Sequence, residues 1–393
     1  MNKENFMIFF KKYKEAFAFI LLMFLCYFLY FFPQVLSVKA FGITDIKIQL
    51  PVALTAVFGV FTVYWTGRKI SSKKYGIISA IILATCIEYI MHAKFSSIVT
   101  MLSVCIAASF YTGIYTLFGS KKYRKYFWWL SYIFAGLGIL TADLFAFVVP
   151  AVSILLSYIA ARRWKEIFKP VYFIPGIILF ILVSLPWHIL AYQHGMQIFS
   201  RFEPIKHGNI IQIMTGSLYL FVVGFMPWIF SFLSQIIVYF KKHLKETGEY
   251  FSKFNNLQPL ERFMIVNVIF LAVIFVFQLM PGMSITLPAI FPASMILGKF
   301  WFDYICKDEN CRAVNISTLV LNFGFIICAV LLMFSLQQMI NTGYTKELSL
   351  PVTGLVIIMA AVTLNIFAIV KDKRLLHFFA LAGFVAALTV FVV

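Results

Sequence analysis

Charged residues are scarce in this chain, and acidic residues are the scarcest. Among the 393 residues there are 15 Asp and Glu, charged residues make up 12% of the sequence, and 62% of the residues are hydrophobic. Soluble domains contain about 25% charged and about 45–50% apolar residues, so this composition excludes an ordinary soluble protein. No polar stretch is long enough for a separate soluble domain. We therefore expect an all-α, multi-pass membrane protein with a single transmembrane domain over residues 1–393.

The sequence also lacks the common catalytic motifs. It contains no glycine-rich nucleotide loop, no His/Cys cluster with metal-ligand spacing and no Ser-His-Asp order typical of hydrolases. The six cysteines are scattered, so we expect no disulfides. Cys306 and Cys311 form a single pair without a second pair or a histidine, which is a weak zinc signal. We therefore assign no metal ligands and no certain cofactor, and leave a divalent metal open.

Long apolar runs separated by charged breaks predict the transmembrane helices. About 20 apolar residues are needed to cross the hydrocarbon core, and on this basis we predict a bundle of about thirteen helices. The first run lacks a small-residue cleavage site and is predicted to be a retained helix, not a signal peptide. The predicted segments are 16–36, 50–66, 75–91, 97–118, 126–141, 144–160, 171–192, 213–240, 263–280, 284–300, 315–336, 351–370 and 376–393.

Basic clusters indicate the orientation of these helices. The net charge is +18, and positive residues concentrate in cytoplasmic loops of membrane proteins, so the excess predicts orientation and no nucleic-acid partner. If the N-terminus is cytoplasmic, most of the 33 Lys and Arg fall on the inside and the C-terminus is periplasmic. The cations left on the outer side are Lys39, Lys47, Lys94, Arg201, Lys206 and Lys346.

The predicted outer face carries most of the chemistry that the sequence offers. Four acids approach it within the first eight helices: Asp45, Glu88, Asp143 and Glu203. The outer loop at 193–210 adds Arg201, Lys206 and His207 to Glu203. Tryptophan favours the membrane interface, so the Pro-Trp pairs at 186–187 and 227–228 are predicted to mark helix ends there. Glu88 is expected near the outer interface, within reach of His92 one helical turn later.

Several stretches resemble one membrane enzyme family. The segment 136–168 (GLGILTADLFAFVVPAVSILLSYIAARRWKEIF) is similar to the sixth-helix region of the aminoarabinose lipid A transferases. These are GT-C membrane glycosyltransferases, as are the protein O-mannosyltransferases. Segments 45–51 (DIKIQLP), 184–187 (SLPW), 224–228 (GFMPW) and 287–292 (LPAIFP) follow in the family's order. The likeness covers roughly residues 40–300, which we treat as a GT-C-like core, with additional helices over about 301–393.

The resemblance implies an inner-membrane enzyme that uses no nucleotide. Such an enzyme takes a sugar from a polyprenyl-phosphate donor on the periplasmic side and transfers it to lipid A, as part of lipopolysaccharide, or to another acceptor of the cell envelope. The expected partners are the polyprenyl-phosphate-linked sugar, a lipid or glycan acceptor and membrane lipids, with a partner transferase left open.

The chain departs from the family pattern at its functional residues. The first outer loop, between about 37 and 49, is short and lacks the family's Asp-Glu pair. The lysine and glycine of the family's Leu-Thr-Lys-Gly motif correspond to Ala142 and Asp143, and two further functional positions fall near Ser97 and Pro281. None of these family residues can be transferred to this chain.

The candidate site is therefore argued from the chemistry of glycosyl transfer. The reaction needs a base for the acceptor and cations for the leaving phosphate. The candidate catalytic acids are Asp143, Glu203 and Asp45, and the candidate substrate-binding cations are Lys94, Arg201, Lys206 and His207. The competing structural interpretations are that Asp143 caps the helix that follows and that Glu203 pairs with Arg201 or Lys206 on a solvated loop.

Two other functions are compatible with the sequence. One is a catalytically inactive GT-C homologue that binds lipid-linked sugar or assists a partner transferase, as the missing Asp-Glu pair would allow. The other is a transporter or flippase for a lipid-linked sugar. The sequence shows no inverted repeat of broken helices, which argues against the transporter.

Overall fold

The structure is a computed structural model, and the part of the chain that it describes is all-helical. It describes residues 45–94, 98–119, 121–141, 144–193, 210–243, 254, 257–278, 286–307, 309, 311–341 and 349–391. Each of these stretches folds into helices and short connections, because helices satisfy their own backbone hydrogen bonds inside a membrane. The predicted helix at 16–36 lies outside the described residues.

Fourteen α-helices occupy the described residues. Two 3₁₀ turns, Lys121–Tyr123 and Trp164–Glu166, lie between helices. In chain order the helices are α1 Asp45–Ile70, α2 Lys73–Ala84, α3 Ile87–Lys94, α4 Ile98–Phe118, α5 Arg124–Thr141, α6 Phe145–Ala160, α7 Pro170–Gln193, α8 Ile210–Gly224, α9 Ile229–His243, α10 Pro259–Gln278, α11 Leu287–Lys307, α12 Cys311–Asn341, α13 Ser349–Val370 and α14 Arg374–Phe391.

The described residues do not confirm the predicted number of membrane spans. Four described helices are long and apolar enough to cross a membrane by themselves, and six spans result if two bent pairs each count as one. The bent pairs are α2 with α3, at 68°, and α8 with α9, at 108°. The count of about thirteen transmembrane helices is therefore not confirmed. Each of the two predicted segments 75–91 and 213–240 is two helices with a sharp break between them.

Two buried helices form the centre of the described bundle. Nearly every residue of α4 from Thr100 to Ile114 is buried, and α4 packs against α1, α5 and α6. Most of α11 is buried as well, between α2, α4 and α10. A helix that is apolar all round belongs in the interior. Around α4 the stacked rings of Phe110 and Phe270, 3.8 Å apart at their centroids, fix α10 against it.

Close approach between helices depends on small residues and buried polar bonds. A side chain at Gly76 would lie 2.8 Å from the backbone nitrogen of Arg68, so glycine is required where α1 crosses α2. The Tyr111 hydroxyl of α4 donates to Asn267 Oδ1 of α10 at 3.0 Å, and Asn267 Nδ2 donates to the Phe263 carbonyl at 2.8 Å. These bonds satisfy polar groups that would otherwise be unpaired in the core.

The basic end of the bundle carries an ion-pair cluster on Glu166, between α6 and α7. Arg163 donates to both carboxylate oxygens of Glu166, at 3.0 and 2.8 Å, and Arg124 donates at 2.9 Å. Burial raises the pKa of Glu166, but the hydrogen bonds and charges of Arg163, with the charges of Arg124 and Lys169, outweigh it and hold this pKa below its ordinary value. Glu166 therefore links the first turn of α5 to the α6–α7 connection as a carboxylate.

We predict that Glu166→Gln lowers the stability of the folded protein by about 1–3 kcal/mol. The loss is smaller than for a fully buried pair, because the Glu166 side chain is 22% exposed, yet Arg124, at 9% exposed, loses its partner. Because the folded-state pKa of Glu166 is depressed, its contribution is present above the unfolded pKa of about 4.3 and is lost as the pH falls through the folded value. Melting temperatures of detergent-solubilised protein between pH 7 and pH 3 measure both effects.

The matched control for this variant is Glu309→Gln, because Glu309 is an exposed acid at the same end of the bundle. It should melt like the unmodified protein at pH 7. Equal melting temperatures for both variants would contradict a structural role for the Glu166 cluster.

Candidate functional site

The two broken helix pairs contact each other at their breaks, where α3 begins and α8 ends. A helix of 12 residues such as α2 spans about 18 Å, which is short of the roughly 30 Å hydrocarbon core. The chain then turns at Thr85 and Cys86 and continues as α3. Between α8 and α9 it turns at residues 225–228. Both turns interrupt apolar runs, so each leaves backbone groups that need partners.

The two turns provide partners for each other. The Ile87 N–H at the start of α3 donates to the Met226 carbonyl at 3.3 Å. The Trp228 indole N–H donates to Thr85 Oγ1 at 3.0 Å, and the Thr85 hydroxyl donates to the Ile81 carbonyl at 2.7 Å. The geometry of one break is therefore tied to that of the other.

The first turn of α3 places one acid at this junction. Glu88 Oε1 accepts a hydrogen bond from the hydroxyl of Thr286, which directly precedes α11. Glu88 Oε2 is buried and has no hydrogen-bond partner among the residues that the structure describes. A negative side chain in the first turn of a helix is favourable, but a buried carboxylate oxygen without a partner is costly.

Neighbouring residues hold Glu88 in place. The adjacent Tyr89 is buried, its hydroxyl donates to the Ala56 carbonyl of α1 at 2.6 Å, and its ring meets that of Phe291 of α11 edge-on at 5.7 Å. A methyl group at Gly224, the last residue of α8, would lie 2.6 Å from Glu88 Cβ. Glu88 is therefore enclosed by the end of α8 and the start of α11, and its second oxygen is buried without a partner among the described residues.

This geometry changes two of the interpretations from sequence. The partner of Glu88 in the described structure is Thr286, and no hydrogen bond to His92 is formed there. The Pro-Trp pairs do not mark helix ends at the interface: Pro186 and Trp187 lie within α7, and Trp228 is fully buried at the α8–α9 break, 5.7 Å from the ring of Trp301. Trp228 serves as a core residue and hydrogen-bond donor.

The predicted site residues themselves are mostly outside the described residues. Asp143, Arg201, Glu203, Lys206 and His207 all lie outside the described residues. Asp45 begins α1 and Lys94 ends α3, but the structure describes only the backbone of these two. Their convergence on one outward cavity therefore remains a prediction. Within the described residues, no group of three His, Cys, Asp or Glu side chains could hold a metal ion.

Comparison with known proteins shows which membrane enzymes this chain resembles. The family model for dolichyl-phosphate-mannose-protein mannosyltransferases matches residues 28–189. The undecaprenyl phosphate-alpha-4-amino-4-deoxy-L-arabinose arabinosyl transferase of Edwardsiella ictaluri is 25% identical over 202 residues, which is 48% of this chain and 36% of the relative. The enzyme of the same name from Yersinia enterocolitica is 21% identical over 314 residues, 75% of this chain and 53% of the relative.

The fold is that of a solved structure in the same group. The crystal structure of ArnT from Cupriavidus metallidurans bound to undecaprenyl phosphate has a TM-score of 0.61 and 15% identity, covering 91% of this chain and 63% of that one. The resemblance to the GT-C membrane glycosyltransferases is confirmed. The chain is a multi-pass membrane protein of this fold, and it spans between about a quarter and a half of the length of the curated relatives that it matches.

The mannosyltransferase family model covers only part of the junction. Glu88 falls within the matched residues 28–189, whereas Gly224 and Thr286, which enclose it, fall outside. Two features of the sequence are signals for the junction. Gly224 and Pro227 lie within an apolar run that is too long for one span, and an acid follows Cys86 within a second apolar run. Neither signal indicates that the two breaks touch.

We predict that Gly224→Ala lowers thermal stability and that Gly216→Ala does not. The added methyl at position 224 must displace Glu88, and overpacking of this kind costs about 1–3 kcal/mol. At Gly216, on the same helix, a methyl would meet nothing within 4 Å, so the better helix propensity of alanine makes the change neutral or slightly stabilising. Melting temperatures in detergent compare the pair. Equal effects would show that the α8 terminus does not pack on Glu88.

Proposed function

We propose that the protein is a membrane glycosyltransferase of a bacterial inner membrane. It takes a sugar from a polyprenyl-phosphate donor and transfers it to lipid A or another envelope acceptor on the periplasmic face. The observation that carries the proposal is the fold shared with a structure bound to undecaprenyl phosphate, supported by the names of the curated relatives. Because fold alone does not determine function, the residues below complete the argument.

The proposed architecture is one transmembrane domain with its N-terminus in the cytoplasm and its C-terminus in the periplasm. The GT-C-like core covers about residues 40–300, and the helices from about 301 to 393 are additions to it. In this orientation the basic end, with Glu166 and its arginines, faces the cytoplasm. The Glu88 junction then lies toward the periplasmic face, as the donor chemistry requires.

The reaction assigns separate roles to acids and cations. A carboxylate takes the proton of the acceptor as its oxygen attacks the anomeric carbon, and the bond from that carbon to the phosphate oxygen breaks. The electron pair leaves with the polyprenyl phosphate, whose charge is stabilised by cations. We propose Asp143, Glu203 and Asp45 as candidates for the acid, and Lys94, Arg201, Lys206 and His207 as phosphate ligands.

The role that we propose for Glu88 in this reaction differs from those of the acids and cations above. Its free oxygen can accept a hydrogen bond, which a sugar or acceptor hydroxyl can donate, whereas a phosphate would be repelled by the carboxylate. We propose that Glu88 orients a hydroxyl of the sugar or acceptor. A residue held by Thr286 and enclosed by Gly224 is placed rigidly enough for that task.

The donor-binding part of the proposal predicts that purified protein binds undecaprenyl phosphate. Arg201→Gln combined with Lys206→Gln should weaken this binding at least about tenfold, because each substitution removes a charge-assisted contact of about 1.5–3 kcal/mol. Native mass spectrometry in detergent measures the bound fraction, and Lys122→Gln combined with Lys125→Gln at the basic end is the control. Protein that binds no undecaprenyl phosphate would overturn the proposal.

The catalytic part predicts that at least one of Asp143→Asn, Glu203→Gln and Asp45→Asn reduces transfer by about 10²–10⁴-fold, the contribution typical of a general base. Donor binding should persist in that variant. Transfer is measured in membranes with a radiolabelled polyprenyl-phosphate sugar, and Glu309→Gln is the control. Full activity in all three variants would refute the acid assignment. Donor binding without transfer in the unmodified protein would support the inactive homologue, and donor translocation in liposomes would support the flippase.

A further inference from the structure

A cavity lies at the basic end of the described bundle. Its volume is about 820 Å³, within the range of roughly 300–1,000 Å³ typical of ligand pockets. It opens between the start of α2 and the start of α14, with the end of α11 and part of α13 completing its walls. Both α2 and α14 pack against α11, and the cavity occupies the space between them.

The cavity is lined by charged residues at one end and by apolar residues along the rest of its walls. The charged residues all come from helix ends and the α13–α14 turn: Lys74, Asp372, Lys373 and Arg374. The apolar walls continue along the helices, with Ile77 and Ile81 on α2 and Phe378 and Phe379 on α14. From Lys74 to Ile81 the rise along α2 is about 10 Å. The cavity therefore has a charged mouth and an apolar depth.

The mouth of the cavity has an excess of positive charge. The carboxylate of Asp372 accepts from Arg374 Nε and Nη2, both at 3.2 Å, and Arg374 Nη1 also donates to the Tyr304 carbonyl at 3.3 Å. Lys74 and Lys373 form no ion pair among the described residues. Two ammonium groups therefore remain for an external anion beside a guanidinium that is already fixed.

The α13–α14 turn is held in an unusual backbone conformation. Asp372 has φ 47°, in the left-handed region that side chains other than glycine avoid. The Lys373 N–H donates to the Ala368 carbonyl at 2.8 Å and the Asp372 N–H to the Ile369 carbonyl at 3.2 Å, which closes the end of α13. This conformation places Asp372 where it orients Arg374 at the cavity mouth.

We propose that this cavity binds an anionic phospholipid from the leaflet at the basic end. The phosphate contacts Lys74 and Lys373, and an acyl chain follows the apolar walls toward Ile81 and Phe379. Charge complementarity favours an anionic headgroup over a zwitterionic one, since basic residues near a membrane surface attract anionic lipids. Phe379 is 54% exposed and Ile77 39% exposed, so the apolar walls remain accessible to a chain. The inference does not depend on the proposed transferase activity, because none of the proposed catalytic or phosphate-binding residues lines the cavity.

The test measures phosphatidylglycerol binding to delipidated protein by native mass spectrometry. Phosphatidylglycerol should bind at least about tenfold more tightly than phosphatidylcholine, and Lys74→Gln combined with Lys373→Gln should remove most of that preference. The control, Lys122→Gln with Lys125→Gln, removes two charges from the same end outside the cavity and should keep the preference. Equal losses in both double variants would overturn the site, because they would indicate a general surface charge effect.

A second experiment distinguishes binding of a lipid from binding of a free anion. Ile81→Trp reduces the apolar depth without altering any charge, and it should weaken phosphatidylglycerol binding while the melting temperature without lipid stays close to that of the unmodified protein. Glycerol 1-phosphate carries the anionic group without chains and should bind far more weakly. Glycerol 1-phosphate binding as tight as that of the lipid, or lipid binding unaffected by Ile81→Trp in a folded protein, would overturn the proposal.

Discussion

The hydrogen bond from the Ile87 N–H to the Met226 carbonyl is the constraint on which the candidate site depends. Inside a bilayer a backbone group without a partner costs several kcal/mol, so a helix can be interrupted only where other protein groups replace the lost bonds. Here two interruptions replace each other's bonds, and the Trp228–Thr85 contact adds a second link. Each break therefore supplies a hydrogen-bonding partner to the other, and Glu88 follows directly after this contact.

The junction buries the Glu88 carboxylate, which costs free energy of folding because one of its oxygens has no hydrogen-bond partner among the described residues. The same volume filled by an apolar side chain would leave no carboxylate oxygen without a partner, and acids within transmembrane segments are otherwise rare. Glu166 differs from Glu88, because both oxygens of the Glu166 carboxylate have arginine partners. Glu166 is explained by structure alone. The second oxygen of Glu88 has no such partner, which is consistent with the proposed hydroxyl-orienting role, because functional sites tend to violate local rules of stability.

Hydropathy predicts where the helices lie but not how they bend or touch. The predicted segment 97–118 corresponds to Ile98–Phe118 and the segment 171–192 to Pro170–Gln193, because the apolar runs end where charges begin. The breaks at 85–86 and 225–228 lie inside apolar runs. Hydropathy does not change there, so it does not reveal the breaks. The partner of Glu88 was also missed: Thr286 is 198 residues away, whereas helical spacing points to His92, four residues away.

The described acids differ in a way that bears on the proposed reaction. At the described basic end, acids and cations compensate each other closely, as Asp303 does with Lys299 and Lys307, at 2.7 and 2.9 Å. Fixed compensated charges stabilise helix ends, whereas Lys74 and Lys373 at the same end have no ion-pair partner among the described residues. At the two helix breaks, Glu88 has one oxygen without a hydrogen-bond partner among the described residues. In the proposed reaction such an acid keeps an acceptor for a substrate hydroxyl, which Glu166, bonded to two arginines, does not.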